Sequence, residues 1–110
     1  TVDISSTPEV AELTPHQSNQ VYRIIREAAI NAVKHARAQK LWVDILFERE
    51  QMIVSITNNG KPLAPESDRL GGLGLQHMRM RAGMLNGALS IGQRLEDKTV
   101  VELTFPLRVP

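Results

Sequence analysis

The sequence predicts an α+β fold: a two-layer sandwich in which helices cover one face of a mixed sheet. Three observations carry this expectation. A long stretch with helical apolar spacing is followed by two short runs that alternate in polarity, and a second helical stretch is followed by two more such runs. The resulting order of strand, helix, two strands, loop, helix, two strands interleaves the classes in the way that segregates helices to one side of a sheet.

A short strand is expected at Val2 to Ser5. Thr14-Pro15-His16-Gln17 then reads as a helix start, because Thr14 can cap, Pro15 suits the first helical position and Gln17 completes a capping box. From there to about Ala38, Val21, Ile24, Ile25, Ala28, Ala29, Ala32, Val33 and Ala36 form a wide apolar stripe. Leu41, Val43, Ile45 and Phe47 alternate, Glu48 to Gln51 form a polar turn, and Met52, Val54 and Ile56 alternate again, which describes a hairpin with one buried face.

The segment from Asn58 to Gly74 contains Gly60, Pro62, Pro65, Gly71, Gly72 and Gly74 with charges between them, the composition of a long loop. Leu75, Met78, Ala82 and Leu85 share one face of a second helix that Gly87 can close, with Met80 and Met84 at or near the same spacing. Leu89 and Ile91, then Val101, Leu103 and Phe105, mark the last strands, and Pro106 ends the pairing. Trp42 is read as a packing residue, and Arg81 as a residue that holds the loop before this helix or caps local carbonyls.

Composition narrows the function. The 110 residues suit one domain, 1–110, with one pocket. Thirteen Lys and Arg against 12 Asp and Glu give a net charge of +1, so no global field favours nucleic acid or a membrane surface, and any bound anion must be held locally. The absence of cysteine removes disulfides, thiolate zinc sites and cysteine nucleophiles, and fits a reducing cytoplasm. No apolar run approaches the roughly 20 residues of a membrane span, no signal-peptide pattern opens the chain, and a first residue other than Met suggests an excised piece.

Three constellations bear chemistry. Glu27, Asn31, Lys34 and His35 follow one another at spacings of four, three and one residues along the first helix and place polar groups on neighbouring positions. They read either as a solvated face or as a Mg²⁺ site, since an amide oxygen beside a carboxylate suits a hard cation that keeps several waters. Gly71-Gly72-Leu73-Gly74 at the start of the second helix serves as a hinge or brings free backbone N–H groups to a phosphate. Asn58-Asn59-Gly60 ends a strand as a turn, or else puts the Asn58 amide in a pocket where it bonds a flat heterocycle.

Taken in order, these motifs resemble a known family. Glu27-Ala28-Ala29-Ile30-Asn31-Ala32-Val33-Lys34-His35-Ala36 is similar to the N-box of bacterial two-component sensor histidine kinases, especially the nitrate-sensor-like subfamily. Val54 to Gly60 resembles the first glycine box, and Gly72-Leu73-Gly74-Leu75-Gln76-His77-Met78 with Arg81, Ala82, Leu85 and Gly87 resembles the second and its helix. Thr99 to Pro106 is similar to the closing strand, so the likeness runs from about Val21 to Pro106.

The resemblance implies the Bergerat ATP-binding fold, shared with gyrase-type and mismatch-repair ATPases, with a lid at about 61–73. By that likeness Asn31 coordinates Mg²⁺ and Glu27 lies beside the γ-phosphate, while Lys34, His35, Gly72, Gly74 and Leu75 meet the phosphates. Asn58 reads the adenine, Gly60 gives the base room and Thr99 lies near the purine. The implied partners are ATP, the dimerisation helices that carry the accepting histidine, and a downstream response regulator. Phosphoryl transfer of this kind requires positioning and charge neutralisation, so no protein nucleophile is needed.

The chain departs from the family at Asn58, where Asp is usual, and at Pro62, where Gly is usual. An amide that rotates could serve adenine or guanine. No separate dimerising helix is present to make His16, His35 or His77 an acceptor. Two alternatives stay open: a nucleotide-binding module without transferase activity, and a serine kinase of the anti-sigma-factor type, against which the Gly-Leu-Gly-Leu-x-x-Met-x-x-Arg pattern argues.

Overall fold

The computed structural model describes residues 2–6, 13–60, 73–93 and 98–107. Its elements are β1 (Val2–Ser6), α1 (Pro15–Lys34), β2 (Leu41–Glu48), β3 (Gln51–Asn58), α2 (Leu73–Met84), β4 (Ala88–Gln93) and β5 (Thr99–Pro106). The strands form one sheet in the order β1-β2-β3-β5-β4, with β1 parallel to β2 and every other pair antiparallel. The element order and the mixed sheet agree with the reading above, and α1 and α2 both pack on one face of the sheet.

Local chemistry explains the boundaries. Thr14 Oγ1 accepts from the Gln17 N–H at 3.1 Å and Gln17 Oε1 accepts from the Thr14 N–H at 2.9 Å, so the capping box closes with Pro15 at the first helical position. The helix ends at Lys34, earlier than its apolar spacing suggests. The Asn31 carbonyl accepts from both His35 and Ala36, the Ala38 N–H reaches the Ala32 carbonyl, and Arg37 takes a φ of 53°, which turns the chain toward β2.

Arg49 and Glu50 both have positive φ, at 52° and 59°, the two-residue turn whose twist suits an antiparallel hairpin. At the other end of the chain's helical pair, α2 closes in a Schellman arrangement. Gly87 N–H bonds the Ala82 carbonyl and Asn86 N–H bonds the Gly83 carbonyl, with Asn86 supplying the left-handed residue at φ 58°. Gly87 thus closes the helix as its position suggested, and it has a second role: a Cβ there would clash with the Thr104 carbonyl oxygen and lie 2.7 Å from Phe105 Cβ.

The inner face of the sheet is built in rows. Phe47, Met52 and Phe105 form one row; Ile45, Val54, Leu103 and Leu89 the next; Val43, Ile56, Val101 and Ile91 the third. Onto these rows α1 lays Val21, Ile24, Ala28 and Ala32, and α2 lays Met78, Ala82 and Leu85. Each large aliphatic or aromatic side chain buried here contributes about 1.5–3 kcal/mol.

Three residues of the expected apolar stripes lie outside this core. Val33 is 65% exposed, and Met80 and Met84 are about half exposed, because each flanks its helix's contact line beyond the reach of the sheet. The opposite error occurs at Gln20, which is 6% exposed and accepts from Arg81 Nη1 at 3.0 Å. This contact links the start of α1 to the end of α2, a partner for Arg81 that the sequence did not indicate.

Gly87→Ala should cost about 1–3 kcal/mol, since the added carbon meets strand backbone that cannot swing aside. Asn86→Gly should leave stability within about 1 kcal/mol of the parent, because glycine takes the same backbone conformation without strain. Urea denaturation midpoints of the two variants check the contrast.

Candidate nucleotide site

At one end of the sheet the inner face changes character. The fourth row, read across β2, β3 and β5, is Leu41, Asn58 and Thr99. Asn58 and Thr99 are cross-strand partners on the same face as the aliphatic rows, 7% and 4% exposed. Side chains so paired stand about 5 Å apart at Cβ. The Thr99 hydroxyl is buried without a hydrogen-bond partner among the described residues. Buried hydroxyls in native proteins are nearly always satisfied, so this one is a fitting place for a ligand's polar edge.

The turn after β3 is fixed by its own side chains. Asn58 Oδ1 accepts from the Gly60 N–H at 2.8 Å, and Asn59 Oδ1 accepts from the N–H groups of Gln39 and Lys40 at 3.0 and 2.9 Å. Gly60 lies so close to the segment after α1 that a Cβ would come within 2.4 Å of the Ala36 carbonyl oxygen. The end of α1 is thereby held against the mouth of the polar row.

The helices converge on the same end. The Gln20–Arg81 contact pairs the start of α1 with the last turn of α2, so the two helices run antiparallel and the end of α1 lies toward the start of α2. Counting seven residues from that contact along each helix leads to Glu27 and to Gly74, each about 10 Å beyond it at 1.5 Å per residue. Glu27 and Asn31 are half-buried, and Lys34 and His35 are exposed at the end of α1.

Gly74 and Leu75 lie within the first turn of α2, which starts at Leu73 rather than after the glycines, and that turn holds no acidic residue to oppose an anion at its free N–H groups. Gly72 and nearly all of the expected lid, residues 61–72, lie outside the described residues.

Of the predicted site residues, Asn58, Thr99 and Gly60 are thus brought together by strand pairing and the turn, while Glu27, Asn31, Lys34 and His35 approach from α1 and Gly74 and Leu75 from α2. Sequence reasoning missed Asn59 and Gln20. The spacing of Gln20 to Ile24 and Ala28 was the available signal for its burial.

On the opposite face of the sheet, Trp42 pairs across the strands with Thr57. The Nζ atoms of Lys40 and Lys98 stand 5.1 and 4.8 Å from its ring centroid, and Lys40 also meets Asp3 at 3.4 Å. The buried Thr57 hydroxyl, which has no partner among the described residues, lies on that face and away from the site.

A polar row at the mouth of an otherwise aliphatic sandwich, with two helix ends directed at it, defines a ligand-binding α+β domain. The chain belongs to the family of histidine kinase-, DNA gyrase B- and HSP90-like ATPases, whose profile matches residues 16–109. It is 29% identical over 106 residues to the signal transduction histidine-protein kinase/phosphatase DegS of Brevibacillus brevis, covering 96% of this chain and 28% of that protein. It is 32% identical over 88 residues to the oxygen sensor histidine kinase NreB of Staphylococcus carnosus, covering 79% of this chain and 25% of that one.

The chain thus spans about a quarter of the length of these curated relatives. A blue-light activated histidine kinase of Erythrobacter litoralis shares the fold with a TM-score of 0.80 at 18% identity, over 96% of this chain and 37% of that one.

Gly60→Ala should force the turn away from Ala36, lower stability by about 1–3 kcal/mol and weaken nucleotide binding together with it. Thermal unfolding with and without ATP checks this, because a loss of stability with the nucleotide-induced shift intact would separate the turn from the site.

Proposed function

We propose that residues 1–110 form the Mg²⁺-ATP-binding catalytic domain of a sensor histidine kinase, which transfers the γ-phosphoryl group to a histidine on a separate dimerisation helix. The observation that carries this reading is the Asn58–Thr99 row: a buried amide and a buried hydroxyl with no partner among the described residues, at the end of the sheet toward which the end of α1 and the start of α2 lie. Membership of an ATPase family and the likeness to histidine kinases support the choice of ligand and of acceptor.

In this reading the base lies over Asn58, Gly60 and Thr99, and the phosphates reach the start of α2 at Gly74 and Leu75, with Gly72 before them. Lys34 and His35 add positive or hydrogen-bonding groups from the end of α1, within reach of a polyanion. Asn31, one helical turn from Glu27, is the oxygen ligand of Mg²⁺. A single amide oxygen suits an ion that keeps waters and phosphate oxygens as its other ligands. When bound, Mg²⁺ neutralises phosphate charge.

Glu27 is half-buried at the level of Gly74 and supports the transfer as a carboxylate beside the γ-phosphate. The bond to the leaving ADP oxygen breaks as the acceptor imidazole nitrogen bonds phosphorus, so the chain supplies orientation and charge rather than a covalent intermediate. The partner surface is the dimerisation helix pair of the same kinase, with a response regulator downstream and the cytoplasm as the compartment. No described helix is long and apolar enough to cross a membrane.

A second reading, a nucleotide-binding module without transfer, is favoured by the amide at Asn58. Two measurements separate the readings and test both. Calorimetry should show ATP binding that depends on Mg²⁺, and Asn31→Ala should remove most of the metal-dependent part. Equal binding with and without the ion would exclude Asn31 as its ligand. With radiolabelled ATP the chain alone should stay unlabelled, whereas a supplied dimerisation helix should acquire acid-labile phosphate; ATP binding with no labelling of that helix would favour the module.

A further inference from the structure

Two asparagines follow each other where β3 ends, and the fold gives them separate tasks. Asn58 lies in the polar row with its oxygen on the Gly60 N–H, which holds that amide one way round. Asn59 is exposed and has no contact with the nucleotide in the reading above. Its side chain is nonetheless held. Oδ1 accepts from the backbone N–H groups of Gln39 and Lys40 at 3.0 and 2.9 Å, and the Asn59 N–H donates to the Lys40 carbonyl at 3.3 Å. Two donors facing one atom require that atom to be the oxygen, so this amide too has a single orientation.

The register explains why a side chain is needed there. The ladder of β2 with β3 ends at the pair Leu41–Asn58, so Gln39 and Lys40 lie beyond the last strand pair. The Asn59 oxygen supplies their acceptor and prolongs the contact past the end of the ladder. Gln39 and Lys40 belong to the turn that leaves α1, and the other end of that turn is tied to the helix: the Asn31 carbonyl accepts from His35 and Ala36, and the Ala32 carbonyl from Ala38. Asn59 thereby completes a run of hydrogen bonds from the pocket row to the last turn of α1, where Asn31, Lys34 and His35 stand.

We propose that Asn59 is a positioning residue of the site, whose side-chain oxygen fixes the distance between the row that holds the base and the end of α1 that meets the phosphates and Mg²⁺. The inference rests on reading the site as a nucleotide pocket and adds the residue that aligns its two halves. Asn58 and Thr99 keep their places without Asn59, because the pairing of β3 with β5 and the Gly60 contact hold them. The end of α1 has no such ladder. When the oxygen is removed, two backbone N–H groups turn to water for an acceptor and the turn after α1 gains freedom to shift against the row. A ligand that spans both halves loses alignment, whereas a base alone does not.

The test compares ATP with adenosine on the 110-residue chain, both in the presence of Mg²⁺, with adenosine measured by competition. Their affinity ratio reads the phosphate half of the site. Asn59→Ala should lower that ratio roughly tenfold while adenosine binding stays within about twofold of the parent. Asn59→Asp keeps an oxygen at the same reach and should restore most of the ratio. Asn59→Gln keeps the amide but sets it one methylene further out, and should resemble Asn59→Ala.

Circular dichroism establishes that each variant is folded, and the contrast between Asn59→Asp and Asn59→Gln carries the same test should Asn59→Ala not fold. An unchanged ratio in folded Asn59→Ala and Asn59→Gln overturns the proposal, as does an equal loss of ATP and adenosine, or an Asn59→Asp chain no better than Asn59→Gln. Each of these leaves the nucleotide reading standing. A parent chain that binds neither ATP nor adenosine overturns both.

Discussion

The pairing of β3 with β5 is the constraint on which the rest of the structure depends. It aligns eight positions from Gln51 opposite Pro106 to Asn58 opposite Thr99. Because side chains alternate between the faces of a strand, a slip of β3 by one residue would send Val54 and Ile56 outward and bring Ser55 and Thr57 under the helices. The hydrophobic penalty for that slip is large, so the register is fixed by the core. The same register then delivers Asn58 and Thr99 to the mouth together. The site inherits its precision from packing that never touches a ligand.

The two helices extend this logic into the third dimension. Their apolar lines settle how deeply they sit on the sheet, but such contacts permit sliding along the helix axes. Directional contacts remove that freedom: Arg81 on Gln20 at one end, and Asn59 with Gly60 against the segment after α1 at the other. A buried glutamine is tolerated because its acceptor is met by a guanidinium. Polar residues here set alignment, whereas the aliphatic rows supply most of the cohesion.

Much of this was legible in the sequence because short-range rules governed it. The capping box at Thr14, the alternation in β2, β3 and β5 and the placing of both helices follow from neighbours within four residues. What was not legible depends on neighbours distant in sequence. Val33, Met80 and Met84 are apolar, but they flank their helices' contact lines and stay exposed.

Gly87 reads as a helix stop, and its N–H does close α2, but only the strand packed against it reveals that its missing Cβ makes room for Phe105, while Asn86 makes the left-handed turn. For the site, the motifs named their residues individually; that Asn58 faces Thr99 required a pairing that spans some forty residues. That the amide is held one way round required the position of the Gly60 N–H.

The face of the sheet opposite the helices carries an aromatic ring of its own. Trp42 is the single tryptophan of the chain, and Lys98, one of the two ammonium groups over its ring, immediately precedes Thr99 in the pocket row. Indole emission responds to charge held close to the ring. A displacement of the backbone at Thr99 would carry Lys98 with it and change the charge beside the indole, so the domain holds an intrinsic fluorophore next to the strand that supplies its polar row.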